Sequence, residues 1–74
     1  MSPSKLRAIV ARNIRMHAKR RRIALNSLVD FAGISRSQLF DVLAKRKAPS
    51  IDWLAKIAQA LDVEPWKLLD GGRE

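Results

Sequence analysis

Between Leu28 and Leu39 the chain reads Leu-Val-Asp-Phe-Ala-Gly-Ile-Ser-Arg-Ser-Gln-Leu, and this run constrains the fold more than any other. Gly33 can take the left-handed backbone conformation that closes one helix, while Ser35, with Gln38 three residues on, forms a capping box that opens the next. Only Ile34 separates the two signals. The chain must therefore end one short helix, reverse sharply and start a second, which is the geometry of a helix-turn-helix unit.

Helical periodicity extends to both sides. Ser2-Pro3-Ser4 supplies a cap and a first-turn proline, and Leu6, Ile9, Val10, Asn13, Ile14 and His17 then recur at helical spacing, predicting a first helix over residues 3–21. Its other face carries Lys5, Arg7, Arg12, Arg15, Lys19 and Arg20-Arg21-Arg22. A second helix over 25–32 turns Leu28, Val29 and Ala32 one way and Asn26, Ser27 and Asp30 the other. The third, over 35–44, buries Leu39, Val42 and Leu43 and presents Arg36, Ser37, Phe40, Asp41 and Ala44.

Lys45-Arg46-Lys47-Ala48-Pro49 lacks apolar periodicity and reads as a short cationic loop. Ser50 caps a fourth helix with an apolar stripe of Ile51, Leu54, Ile57, Ala58 and Leu61, and Asp52 and Lys56 are spaced for an ion pair. Pro65 opens a final short helix anchored by Trp66 and Leu69, with Trp53 anchoring the fourth, and Asp70 to Glu74 have the composition of a frayed tail. The expected fold is all-α: five helices in one domain over residues 1–74, with the helix-turn-helix at about 25–44.

The 74 residues lie near the lower limit at which a hydrophobic core holds without staples. Cysteine is absent and His17 is the one histidine, so disulfides and a Cys/His zinc site are excluded and the core must be aliphatic. No apolar stretch approaches a membrane span or a signal peptide, so a soluble, cytoplasmic chain is expected. His17 stands between Met16 and Ala18 as a helix-surface or boundary residue, with no nucleophile to serve and no Gly-rich phosphate loop nearby. The residues thus point to no enzyme, no cofactor, no metal and no small-molecule ligand.

Fifteen Lys and Arg against seven Asp and Glu give a formal charge of +8. A polyanionic partner and a solvating surface both account for such a charge, and the helix-turn-helix favours double-stranded DNA. The helix order, the phrase Gly33-Ile34-Ser35-Arg36-Ser37, and the stretches Pro49-Ser50-Ile51 and Lys56-Ile57-Ala58-Gln59-Ala60-Leu61-Asp62-Val63 resemble the Cro/C1-type (XRE) helix-turn-helix regulators, over roughly Leu6 to Leu69. The chain is also similar to the small controller proteins of restriction-modification systems. The resemblance implies a lambda-repressor-like domain whose third helix enters the major groove.

On that footing the base-reading candidates are Arg36, Ser37, Gln38 and Asp41. Arg36 can fork onto guanine O6 and N7, Ser37 can reach a base edge or a phosphate, and Asp41 can accept from cytosine N4 or pair with Lys45. The Gln38 side chain either reads a base or completes the capping box. Ser35, Asn26, Ser27, Lys45, Arg46 and Lys47 are candidate phosphate contacts, and in controller-like proteins the residue matching Arg46 also reaches bases. Arg20, Arg21 and Arg22 either reach the flanking backbone or are simply solvated. Phe40 either touches a thymine methyl or folds back beside Phe31 or Leu43.

The resemblance also implies a homodimer on a pseudo-palindromic operator, joined around Val63, Glu64, Pro65, Trp66 and Leu69. Three features depart from the family pattern. Ala24-Leu25 replaces the usual Ser-Gln opening of helix two, Val29 replaces a small residue, and Ala18 and Leu43 replace an Arg–Glu ion pair with an apolar contact. The alternative function is an antitoxin that binds a toxin protein and represses its own operator.

Overall fold

The structure is a computed structural model that describes residues 2–71. Helix α1 spans Pro3–Arg20, α2 Leu25–Ala32, α3 Arg36–Leu43 and α4 Ile51–Leu61, followed by a 3-10 turn at Pro65–Leu68; no strand occurs among the described residues. The all-α expectation is met with four α-helices, and the fifth element is a single 3-10 turn in place of an α-helix.

Serine caps start three of the helices. The Oγ of Ser2 accepts from Lys5 N at 3.2 Å, that of Ser35 from Gln38 N at 3.0 Å, and that of Ser50 from Trp53 N at 3.0 Å. Each such cap contributes about 1 kcal/mol by satisfying an amide the helix itself leaves unpaired. Helix α2 starts at Ala24, which supplies no side-chain cap.

The four helix ends share one closure. The amides of Ile23, Ile34, Arg46 and Val63 each reach back five residues, to the carbonyls of Ala18, Val29, Asp41 and Ala58 at 2.9–3.2 Å. The residue before each amide is left-handed: Arg22, Gly33, Lys45 and Asp62, with φ of 57°, 67°, 66° and 56°. This is the Schellman arrangement, in which the residue after the left-handed one folds back on the helix. Ile23, Ile34 and Val63 do so by packing on the core.

Val10, Ile14 and Ala18 of α1, Leu28 of α2, Leu39, Val42 and Leu43 of α3, Trp53, Leu54, Ile57, Ala58 and Leu61 of α4, and Leu68 form one core. Helix α1 packs on α3 and on the 3-10 turn, while α2 packs on α4. The Asn13 side chain, buried on α1, donates to Leu68 O at 2.9 Å and to Asp70 O at 2.8 Å, and Arg12 Nη2 donates to Gly71 O at 2.8 Å. Asp70 and Gly71 are thus fastened to α1 where a frayed tail was expected; the rest of that tail, residues 72–74, lies outside the described residues.

Several expected core positions fall elsewhere. Leu68 closes the core, whereas Trp66 and Leu69 are 60% and 43% exposed, because the tight 3-10 turn points a different residue inward than an α-helix would. Ile51, on the first turn of α4, is 84% exposed, and Leu6 also lies outside the core. Phe31 is 67% exposed and Phe40 stays on the surface edge, so the aromatics do not join the core as one reading had them. His17, expected at the helix surface or its boundary, is buried one turn beyond Asn13. Among the described residues Asp52 and Lys56 form no ion pair.

Candidate nucleic-acid interface

Helix α3 places its first turn at the surface because Leu39, Val42 and Leu43 hold the opposite side in the core. Arg36, Ser37 and Gln38 follow the Ser35 cap and are all exposed. No ion pair among the described residues engages Arg36. The capping box is one-sided: Ser35 Oγ accepts from Gln38 N, but no bond from the Ser35 backbone N–H to the Gln38 side-chain oxygen forms among the described residues. Three polar side chains of one helical turn are therefore free to meet a ligand.

The segment after α3 is organised around Asp41. The guanidinium of Arg46 donates to Asp41 Oδ1 from Nε at 3.1 Å and from Nη2 at 2.9 Å, and Lys47 Nζ lies 3.7 Å from Oδ2. The backbone repeats the link, since the Arg46 and Lys47 amides both donate to Asp41 O at 2.9 and 3.4 Å. Arg46 occupies the fold-back position that Ile23, Ile34 and Val63 hold at the other helix ends, and an ion pair takes the place of apolar packing there. Asp41 thus pairs with Arg46 and Lys47, and not with Lys45, whose left-handed backbone takes it out of the i,i+4 relation. Four cations, Arg36, Lys45, Arg46 and Lys47, share this stretch with one carboxylate.

At the start of α2, Asn26 is exposed and Ser27 half-buried, beside first-turn amides that no side chain caps. Arg21 is not a free cation: its guanidinium donates to Asp62 O at 3.0 Å and lies 3.4 Å from the Asp62 carboxylate. Farther along, Val63 is half-buried, while Glu64, Pro65, Trp66 and Leu69 are exposed, with Lys67 Nζ 5.8 Å from the Trp66 ring centroid. Leu69 also borders a groove of about 290 Å³ with Pro3, Leu6, Ile51 and Leu54. The Lys45, Asp62 and Arg22 conformations escaped the sequence reading; the available signal was an apolar Ile23 or Val63 following the helix, just as Ile34 follows Gly33.

Two short helices joined through a left-handed glycine, the second capped by serine and presenting a polar first turn, define a helix-turn-helix DNA-binding protein. Residues 13–70 match the family model of the Cro/C1-type HTH DNA-binding domain, and the chain belongs to that family. Among solved structures it resembles a hypothetical transcription factor, NHTF, from Neisseria, with 27% identity and a TM-score of 0.85 over 95% of this chain and 80% of that one. An HTH_3 family transcriptional regulator from Vibrio cholerae is 21% identical with a TM-score of 0.84; the match covers 90% of this chain but 38% of the other. The restriction-modification controller protein C.AhdI from Aeromonas hydrophila is 24% identical, with a TM-score of 0.78 over 84% of this chain and 94% of its own. No curated protein matches the chain.

Proposed function

We propose that the chain is a sequence-specific transcription regulator that inserts α3 into the DNA major groove and acts as a homodimer on a pseudo-palindromic operator. The observation that carries this reading is the free first turn of α3, where exposed Arg36, Ser37 and Gln38 follow a cap that fixes their backbone. Arg36 supplies the bidentate fork for guanine, Ser37 a base-edge or phosphate contact, and Gln38 a bidentate amide for adenine. Ser35, Asn26, Ser27, Lys45 and Lys47 contact the backbone phosphates and set affinity more than sequence choice.

Asp41 and Arg46 work as a pair in this reading. The Asp41 carboxylate holds the Arg46 guanidinium by two donors, which spares Arg46 part of the ordering entropy when it meets DNA. The pair also leaves Asp41 nearly neutralised close to phosphates that would otherwise repel it.

A symmetric pair fits the size of the chain. The chain measures 31 Å along its longest axis and carries one recognition helix, whereas half-sites read from one face of DNA lie about 34 Å apart. Two copies span that distance. The exposed Trp66 and Leu69, with Val63, Glu64 and Pro65, supply an apolar surface for self-association.

Replacing the fork tests the reading directly. On a duplex enriched from a random pool, Arg36→Ala is expected to cost about 1–3 kcal/mol and to relax one guanine per half-site, with much less effect on random DNA. Competition binding measures both. An Arg36→Ala chain with undiminished discrimination would remove α3's first turn from the reading role.

A further inference from the structure

The side of α1 that packs on the 3-10 turn borders a cleft of about 340 Å³ lined by Arg12, Asn13, Met16, His17, Arg20, Lys67 and Asp70. We propose that this cleft is a binding site for a small phosphate-bearing anion, recognised by Arg12, Arg20 and Lys67 around the His17 imidazole. The proposal goes beyond DNA recognition and does not depend on it.

Four observations support the site: its volume, the partnering of its wall residues, its charge and its position. The volume is enough to admit a small organic phosphate. His17 is only 9% exposed and borders the cleft, yet its ring has no hydrogen-bond or ionic partner among the described residues. Neither ring nitrogen is sealed from solvent, so the imidazole is open to bond with whatever occupies the cleft. Asn13 and Arg12, by contrast, are anchored by Leu68 O, Asp70 O and Gly71 O, so the wall is held in place before any ligand arrives.

The third observation is charge. Three cations border one cleft, and their mutual repulsion is relieved by a dianion that accepts several charge-assisted hydrogen bonds. Asp70, also at the rim, opposes an anion, and the three cations outweigh it. The same positive field, from Arg20, Lys67 and Arg21, adds to burial in holding the His17 imidazole below its usual proton affinity. A neutral imidazole still donates one N–H, which is all the site asks of it.

The fourth observation separates this cleft from the DNA surface. Met16 and Arg20 stand roughly 160° around α1 from Ala18, and Ala18 lies in the core that α3 shares. A free phosphate ester would reach the cleft from a side of α1 that does not pack on α3.

The test is an NMR titration of the full chain with inorganic phosphate, with chloride holding the ionic strength constant. Saturating shifts are expected at the His17 ring and at the amides of Asn13, Arg20 and Lys67, while residues 35–47 follow the chloride control. The double variant Arg20→Gln/Lys67→Gln alters two exposed side chains, so it should melt like the parent and bind phosphate about tenfold more weakly. Shifts that never saturate and spread over the whole cationic surface, or an affinity unchanged in the double variant, overturn the proposal. A repeat with saturating duplex DNA distinguishes the two sources of phosphate. Shifts that persist support a free anion, and shifts that vanish assign the cleft to the DNA backbone and overturn it.

Discussion

Asp41 is the one carboxylate among the cations of α3 and its following loop, and its placement decides how that loop is held. Bound by Arg46 and Lys47, it converts a flexible basic run into a fixed one whose left-handed Lys45 starts the turn. His17 shows a second effect of placement. Burial first, and then Arg20, Lys67 and Arg21, lower its pKa from the usual 6.5. Between the folded and unfolded values the unfolded chain binds more protons, so stability falls as the pH drops below about 6.5 and levels off once the folded imidazole is also charged. Thermal melting is accordingly expected to decline from about pH 7.5 to about pH 5, and His17→Gln should remove part of that decline. Parallel pH profiles for the two chains would show that His17 is not linked to folding.

At the scale of the element, short helices here depend on their ends. Helix α3 has eight residues, too few to persist without caps and packing. Serine caps and Gly33 were legible in the sequence because residue type alone announces them. Arg22 and Lys45 were not, since these types seldom adopt positive φ, and Asp62, a type that tolerates it better, still lacks the plain signal of a glycine. Pro65 announced the last short element, but not its 3-10 form or the inward turn of Leu68, whose carbonyl accepts from Asn13, more than fifty residues away in the chain. The free turn of α3 and the cationic loop were visible in the pattern, whereas the Asp41–Arg46 pairing needed the loop's actual path.

Gly33 tests the turn. A Cβ there meets nothing within 4 Å, so Gly33→Ala adds backbone strain without a clash. The expected loss is about 1–2 kcal/mol by urea unfolding, with Gly33→Asn losing less because asparagine tolerates the left-handed region. Equal stability of all three chains would contradict the turn geometry. The pairing of α1 with α3 offers a second test, since Ala18 and Leu43 are both buried in the shared core. Leu43→Glu buries an unpaired carboxylate and should cost about 2–4 kcal/mol. Adding Ala18→Arg should recover part of this, and a double-mutant cycle with zero coupling would deny the contact.

For the molecule as a whole, a charge of +8 on 74 residues provides attraction to any DNA, while the proposed reading assigns sequence choice to a few side chains of α3. A single module of this kind buries about 600–1,000 Å² on DNA, and a symmetric pair doubles what is read. The proposed regulator therefore reads a defined sequence twice, through two copies of the same helix. Selection of bound duplexes from a random pool measures this most directly. The expected result is an enriched inverted repeat with half-sites about 10 base pairs apart, each containing a guanine whose preference disappears in Arg36→Ala. Enrichment of no sequence, or of a single unrepeated half-site, would contradict it.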